Sequence, residues 1–286
     1  MIPENFLEQW RLQAPWRTLD MVEQDLVISR ALICLYKHAK IGESLAFRGG
    51  TALNKLFITP PARYSEDIDL VQIKSHPIGE TVKAIRSVLD DWLGAPKSKL
   101  TQRSAKLIYR YPSIGIAPGK LKIEINTTEH FYIRPLKTIE HTVNSPWFED
   151  KAEILTYELN ELMATKLCAL YQRNKGRDLF DLWLVQQHGL IDFPETLAIF
   201  KEHCQRTNSH ISRALFEQNL LEKYARSDFR NDITPLLSPE IKWKFEEGFR
   251  MVNDQFVQHL PGKPWKGIKK MTSSEPMPAA PKISKQ

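Results

Sequence analysis

Long apolar runs are missing from this 286-residue sequence. No stretch of about 18 apolar residues occurs, which excludes a membrane-spanning helix. The first residues carry Glu4 and Glu8 and lack a basic start with an apolar segment behind it, so no signal peptide is expected. Cysteine is scarce: Cys34, Cys168 and Cys204 are odd in number and sit in helix-like text. They read as thiols in a reducing cytoplasm, not as a disulfide framework or a zinc site. The histidines lack ligand spacing such as His-Glu-x-x-His, and neither Gly-x-x-x-x-Gly-Lys-Ser/Thr nor Gly-x-Gly-x-x-Gly occurs. Gly-x-Ser-x-Gly is absent as well, which leaves a serine hydrolase unsupported.

A strong charge of one sign is also lacking in most of the chain. The sequence holds 40 Lys and Arg against 34 Asp and Glu, a net charge of +6. Six of those lysines and a single glutamate fall in residues 261–286, so the remainder is nearly neutral. That terminal segment is rich in Pro and Ser and poor in apolar residues, which predicts disorder. A basic tail can attract RNA non-specifically, or it can simply solubilise the chain.

What is present has the length of about two domains. The periodicity predicts a helix over residues 20–39, a short strand from Ser44 to Arg48, a break at Gly49-Gly50 and a short helix from Thr51 to Phe57. A two-faced strand runs from Asp67 to Ile73, and a helix covers 78–93. Strands over Leu107–Tyr111 and Leu121–Asn126 flank the turn pair Pro118-Gly119, with a further strand expected at Phe131–Ile133. Asn144-Ser145-Pro146 interrupts, and helices are expected at about 157–173, 177–188, 193–206, 211–224 and 238–257. The reading is an α/β half over 1–145 with a small mixed, mostly antiparallel sheet. A helical half at 146–260 and the tail at 261–286 follow.

Chemistry concentrates in Phe47-Arg48-Gly49-Gly50-Thr51 and Arg63-Tyr64-Ser65-Glu66-Asp67-Ile68-Asp69-Leu70. Asp67 and Asp69 are two apart on a strand, so both carboxylates share one face with Cα atoms roughly 7 Å apart. Such a pair repels itself unless a cation lies between. Mg2+, a hard ion that bridges carboxylate to phosphate, suits it. Glu124, flanked by Ile123 and Ile125, repeats the pattern and can join that face from a neighbouring strand. Three carboxylates can hold two metals about 4 Å apart for an in-line displacement at phosphorus. Gly49 and Gly50 lead into a helix start, with Thr51 beside them, and bare backbone there is a phosphate cradle. Arg48 adjoins the turn. Ser65 and Arg63 either steady the loop before Asp67 or touch the nucleotide. Taken singly, each feature has a plain reading: a turn, a solvated strand face, a half-exposed strand acid. Their order in one chain is what points to a site.

That order resembles the nucleotidyltransferase superfamily that includes DNA polymerase β-like enzymes. More closely, FRGGTALNKLF with RYSEDIDLV resembles the AbiEii family of nucleotidyltransferase toxins of type IV toxin–antitoxin systems. The similarity extends through Glu161–Lys166 and Arg173–Leu182. It implies transfer of a nucleoside monophosphate from an NTP to a hydroxyl, with a tRNA end as acceptor and a separate antitoxin as partner. It also implies that Lys166 and an acid of the Arg177-Asp178-Leu179-Phe180-Asp181 segment complete the active site. Lys166 would offset triphosphate charge; Asp181 is favoured for the cleft and Asp178 for structure. The same chemistry could serve a Ser, Thr or Tyr hydroxyl on a protein. A non-catalytic RNA- or antitoxin-binding module is the remaining reading, and the intact carboxylates argue against it.

Overall fold

The computed structural model describes residues 2–267. Seven strands form one sheet: β1 Leu45–Arg48, β2 Asp67–Gln72, β3 Lys97–Leu100, β4 Ser104–Tyr111, β5 Gly119–Asn126, β6 Lys137–Ser145 and β7 Phe148–Thr156. Their spatial order is β3-β4-β5-β2-β1-β7-β6. The β2/β5 and β1/β7 pairs are parallel and the other four antiparallel, which makes the sheet mixed and mostly antiparallel as expected.

Helices α1 Glu4–Arg11, α2 Leu19–Tyr36, α3 Ala39–Ser44, α4 Gly49–Leu56 and α5 Ile78–Leu93 belong to the sheet half. After the sheet come α6 Leu159–Gln172, α7 Gly176–Gln187, α8 Phe193–Arg206, α9 Arg213–Tyr224, α10 Ser227–Asn231 and α11 Phe245–Gln255. None of the described helices is long and apolar enough to cross a membrane.

Strict alternation decides which sheet face is covered. Leu107, Tyr109, Leu121, Ile123, Ile125, Ile68 and Leu70 are buried on one face, in a core shared with α2 and α5. A second core lies among α6 to α11 and reaches the sheet at Ala46 and Val71. Burying a Leu or Phe side chain contributes about 1.5–3 kcal/mol. These two cores therefore anchor the halves on either side of β1 and β2. The outer face of β3, β4 and β5 is left uncovered.

Three expectations are corrected. Phe131–Ile133 is a loop: the Ile133 and Arg134 N–H groups donate to the buried Glu161 carboxylate at 2.8 and 2.7 Å, not to a neighbouring strand. Asn144-Ser145-Pro146 is the end of β6 running into the Pro146-Trp147 hairpin turn and not the end of the sheet half, because β7 returns to pair with β1. The last long helix starts at Phe245 and not near 238, since Ser238 is tied by its N–H to the Ala62 carbonyl. The predicted disorder of 261–286 falls for the most part outside the described residues. The start of that segment is anchored on α9, where the Trp265 N–H donates to Glu217 Oε2 at 2.6 Å.

Candidate active site

Arg48 ends β1, and Gly49 and Gly50 open α4 directly behind it. Gly49 has φ +84°, and a Cβ there would stand 2.6 Å from Asp69 Oδ2. Gly50 leaves no more room, for an added Cβ would collide with the Arg63 guanidinium. The two glycines thus let a carboxylate and a guanidinium approach bare backbone from two sides. No side chain caps the first turn of α4, so its N–H groups remain available.

Gly49→Ala is expected to cost about 1–2 kcal/mol of stability through the left-handed backbone. It should also lower activity more than about tenfold, by displacing Asp69. Thermal unfolding and nucleotide transfer measured together check this. Unchanged transfer in a folded variant would show that the tight Gly49–Asp69 contact is not needed.

Asp67 and Asp69 lie on one face of β2, as alternation requires, and both line a cleft of about 460 Å3. Register puts Asp69 opposite Arg48 on β1 and opposite Glu124 on β5. Asp69 has no hydrogen-bond or ion-pair partner among the described residues. Burial first, and then the Asp67 charge, push its carboxyl above the usual range, against the pull of Arg48, Lys122 and Lys166.

Asp67 is bound by Lys122 Nζ at 2.6 Å. Glu124 faces the same cleft but is held by Lys106 at 2.8 Å and Lys122 at 3.5 Å. Despite its partial burial, those lysines keep it below the ordinary carboxylate range. Among the described residues no group of three Asp, Glu, His or Cys converges as a metal cage. The donor chemistry nevertheless fits a hard divalent cation at Asp67 and Asp69, the latter half-desolvated and unpartnered. Glu124 lines the same cleft and is the more heavily engaged of the three carboxylates, with two lysines against one for Asp67 and none for Asp69.

The remaining expected residues separate into two groups. Arg48, Gly49 and Lys166 line the cleft. Thr51 and Ser65 do not: their hydroxyls meet at 2.7 Å, and Thr51 also donates to the Asp67 carbonyl. They brace the loop that enters β2. Gly50 is buried over Arg63. Outside that set, Lys55 of α4 ion-pairs with Asp25 at 2.6 Å and does not line the cleft.

Behind the cleft floor lies a buried ion network. Arg63, 1% exposed, holds Asp181 through two bonds of 2.6 and 2.8 Å. Lys166 Nζ stands 2.7 Å from Asp181 and 3.3 Å from Asp178, and Arg173 holds Asp178 at 2.7 and 2.8 Å. Asp181 therefore does not open into the cleft. Both acids are fully buried, and together they fix the lysine that does. Three cations on two carboxylates leave one positive charge at the cleft wall beside Asp69.

Lys122, Arg103, Arg173, Glu129 and His203 also line the cleft. Lys122 was legible, being two residues from Glu124 and so on its face. Glu129 pairs with Arg48 at 2.7 Å. His203, oriented by Glu161 at 3.2 Å, comes from α8 and has no local sequence signal.

A mixed sheet bearing an Asp-x-Asp strand after a Gly-Gly helix start, with cations around the cleft, defines a nucleotidyltransferase. The family model "Nucleotidyl transferase AbiEii toxin, Type IV TA system" matches residues 30–251, and the chain belongs to that family. Among solved structures it is similar to MenT4, a nucleotidyltransferase toxin from Mycobacterium tuberculosis. Identity is 18%, 91% of each chain is covered and the TM-score is 0.58. It is also similar to JHP933 from Helicobacter pylori, with 17% identity, 85% of this chain and 92% of that one covered, and a TM-score of 0.53. At those identities the likeness is one of fold. No curated protein matches the sequence.

Proposed function

We propose that this chain is a Mg2+-dependent toxin that transfers a nucleoside monophosphate from an NTP to a hydroxyl of RNA, with tRNA as the acceptor. The observation that carries the reading is the unpartnered, half-desolvated Asp69 beside Asp67 in a cation-lined cleft. Mg2+ held by these two carboxylates would polarise the phosphoryl oxygens and offset developing charge. The open first turn of α4, at Gly49, takes phosphate oxygens through backbone N–H groups, and Arg48 lies at its side. Lys166, fixed by Asp178 and Asp181, presents a point charge to the triphosphate. Lys122, steered by Glu124, can leave Asp67 for phosphate when the cation binds. Membership of a type IV toxin–antitoxin family supports a cognate antitoxin as partner and a cytoplasmic setting.

The test is incubation of the protein with each labelled NTP, Mg2+ and total RNA or lysate. Label on ribonuclease-sensitive material, lost with chelator, is expected. Label that runs with protein and resists ribonuclease would replace the RNA reading with protein modification. No label with any NTP would leave a binding module.

A further inference from the structure

The uncovered face of β3, β4 and β5 continues outward from the cleft, and its side chains can be placed by register. Directly paired residues point to the same side of a sheet. One row runs Asp69, Glu124, Lys106, Lys99, and the next runs Asp67, Lys122, Ile108, Lys97. Beyond them Lys120 pairs with Arg110, and both are exposed. Arg103, in the turn before β4, borders the cleft itself. Seven cations thus share this face with Glu124 as its acid beyond the Asp67/Asp69 pair. Lys106 and Lys122 are engaged by carboxylates. Lys97, Lys99, Arg103, Arg110 and Lys120 have no carboxylate in ion-pair reach among the described residues.

The other basic cluster is different. Arg173 is held by Asp178, and Lys175 and Arg177 by Asp232, so each cation of that cluster already has a carboxylate partner. A sequence whose folded body is nearly neutral in sum therefore still has one strongly positive face. Lysines on an edge strand also discourage edge-to-edge pairing, which would account for Lys97 and Lys99. It does not account for Arg110 and Lys120, which lie on interior strands.

We propose that this face is the track on which the RNA acceptor lies, its phosphates on Lys97, Lys99, Arg110 and Lys120 and its reacting end at Asp67 and Asp69. This rests on the RNA reading given above. Three strand spacings of about 4.8 Å separate β2 from β3, so the track is roughly 15 Å across. In duplex geometry that spans roughly four phosphates of one strand, at about 3.4 Å each. The track carries no aromatic side chain, which fits contact to the backbone rather than stacking on bases. An acidic protein would also be attracted to it. RNA is favoured because the row Lys99, Lys106, Glu124, Asp69 is charged at every position and runs into the cleft where the hydroxyl must react.

The test is the full-length variant Lys97→Gln/Lys99→Gln/Arg110→Gln/Lys120→Gln. These exposed side chains take no part in the proposed catalytic set. A control variant, Lys83→Gln/Lys137→Gln/Lys151→Gln/Lys244→Gln, makes the same change in net charge elsewhere. The track variant should raise KM for RNA by about tenfold or more at physiological salt, with kcat and NTP binding close to wild type. Its log–log salt dependence should flatten by about 3, as four lost phosphate contacts at about 0.7–0.9 each require. Wild-type KM and slope in the track variant, or an equal loss in the control, would overturn the track and leave the RNA reading standing. Wild-type protein that labels a protein and no RNA would overturn both.

Discussion

Asp69→Asn is expected to lower nucleotide transfer by about a thousandfold or more, with unfolding temperature unchanged or raised in the absence of metal. The carboxylate sits half-desolvated beside Asp67 with no cation of the protein bonded to it. Several kcal/mol of transition-state stabilisation by a bound cation would be forfeited, at tenfold per 1.36 kcal/mol. Stability moves the other way because a like charge has been removed from a close, partly buried pair. The sign is consistent with the titration. A carboxyl whose folded pKa is raised costs stability at neutral pH, and the cost is relieved as pH falls through that pKa.

Asp67→Asn should be equally inactive but without the same gain, since it also deprives Lys122 of a 2.6 Å partner. Glu124→Gln should lose only about tenfold, the scale of one misplaced charge, because its oxygens are engaged by Lys106 and Lys122. Transfer assays with labelled NTP and thermal melts in chelator decide all three. An Asp69→Asn variant that transfers at wild-type rate would end the two-aspartate reading. So would a Glu124→Gln loss as deep as that of Asp69→Asn, because the cleft would then need three carboxylates.

Arg63→Ala is expected to destabilise the fold by about 3–5 kcal/mol, since it leaves Asp181 buried with one of its two cations gone. For a chain of this size that lowers the unfolding temperature by roughly 10 °C. Burial alone would raise the Asp181 pKa, but Arg63 and Lys166 hold it down at about 2. A depressed carboxyl contributes stability above its unfolded value of 3.8, and that contribution is lost as pH falls from there towards 2. The acid limb of the wild-type stability curve should show this loss, and Asp181→Asn should lack it.

The double variant Arg63→Met/Asp181→Leu separates stability from function. Replacing both charges by apolar groups should recover most of the melt. Transfer should stay low, because Lys166 would have lost the carboxylate that aims it into the cleft. Recovery of both would mean that the pair is structural alone.

The misreadings have physical causes. Lys137–Ser145 and Phe148–Thr156 were missed as strands because their exposed face carries Glu140, Thr142, Glu149, Lys151 and Glu153, leaving few apolar positions to mark the alternation. Phe131–Ile133 has strand-forming residues, yet a carboxylate from α6 takes the Ile133 and Arg134 backbone donors. Thr51 and Ser65 have hydroxyls suited to a nucleotide and spend them on each other and on the Asp67 carbonyl.

By itself, the sequence determined what depends on local period and backbone freedom. The period of two set Asp67 and Asp69 on one face, and with it the opposite burial of Ile68 and Leu70. Gly49 met the need for a positive φ that other residues rarely adopt. The order of those pieces, with Glu161–Lys166 and Arg173–Leu182, was enough to mark the family.

Tertiary structure alone decided which charges meet. Asp181 lies 118 positions from Arg63, and nothing local tells that it is sealed beneath the cleft and not open to it. Glu124 faces the aspartates as alternation says, but cross-strand register supplies Lys106 as its partner. The exposed row from Lys99 to Asp69 exists only once four strands are aligned. Coulomb energies fall with distance through space, and distance along the chain does not report it.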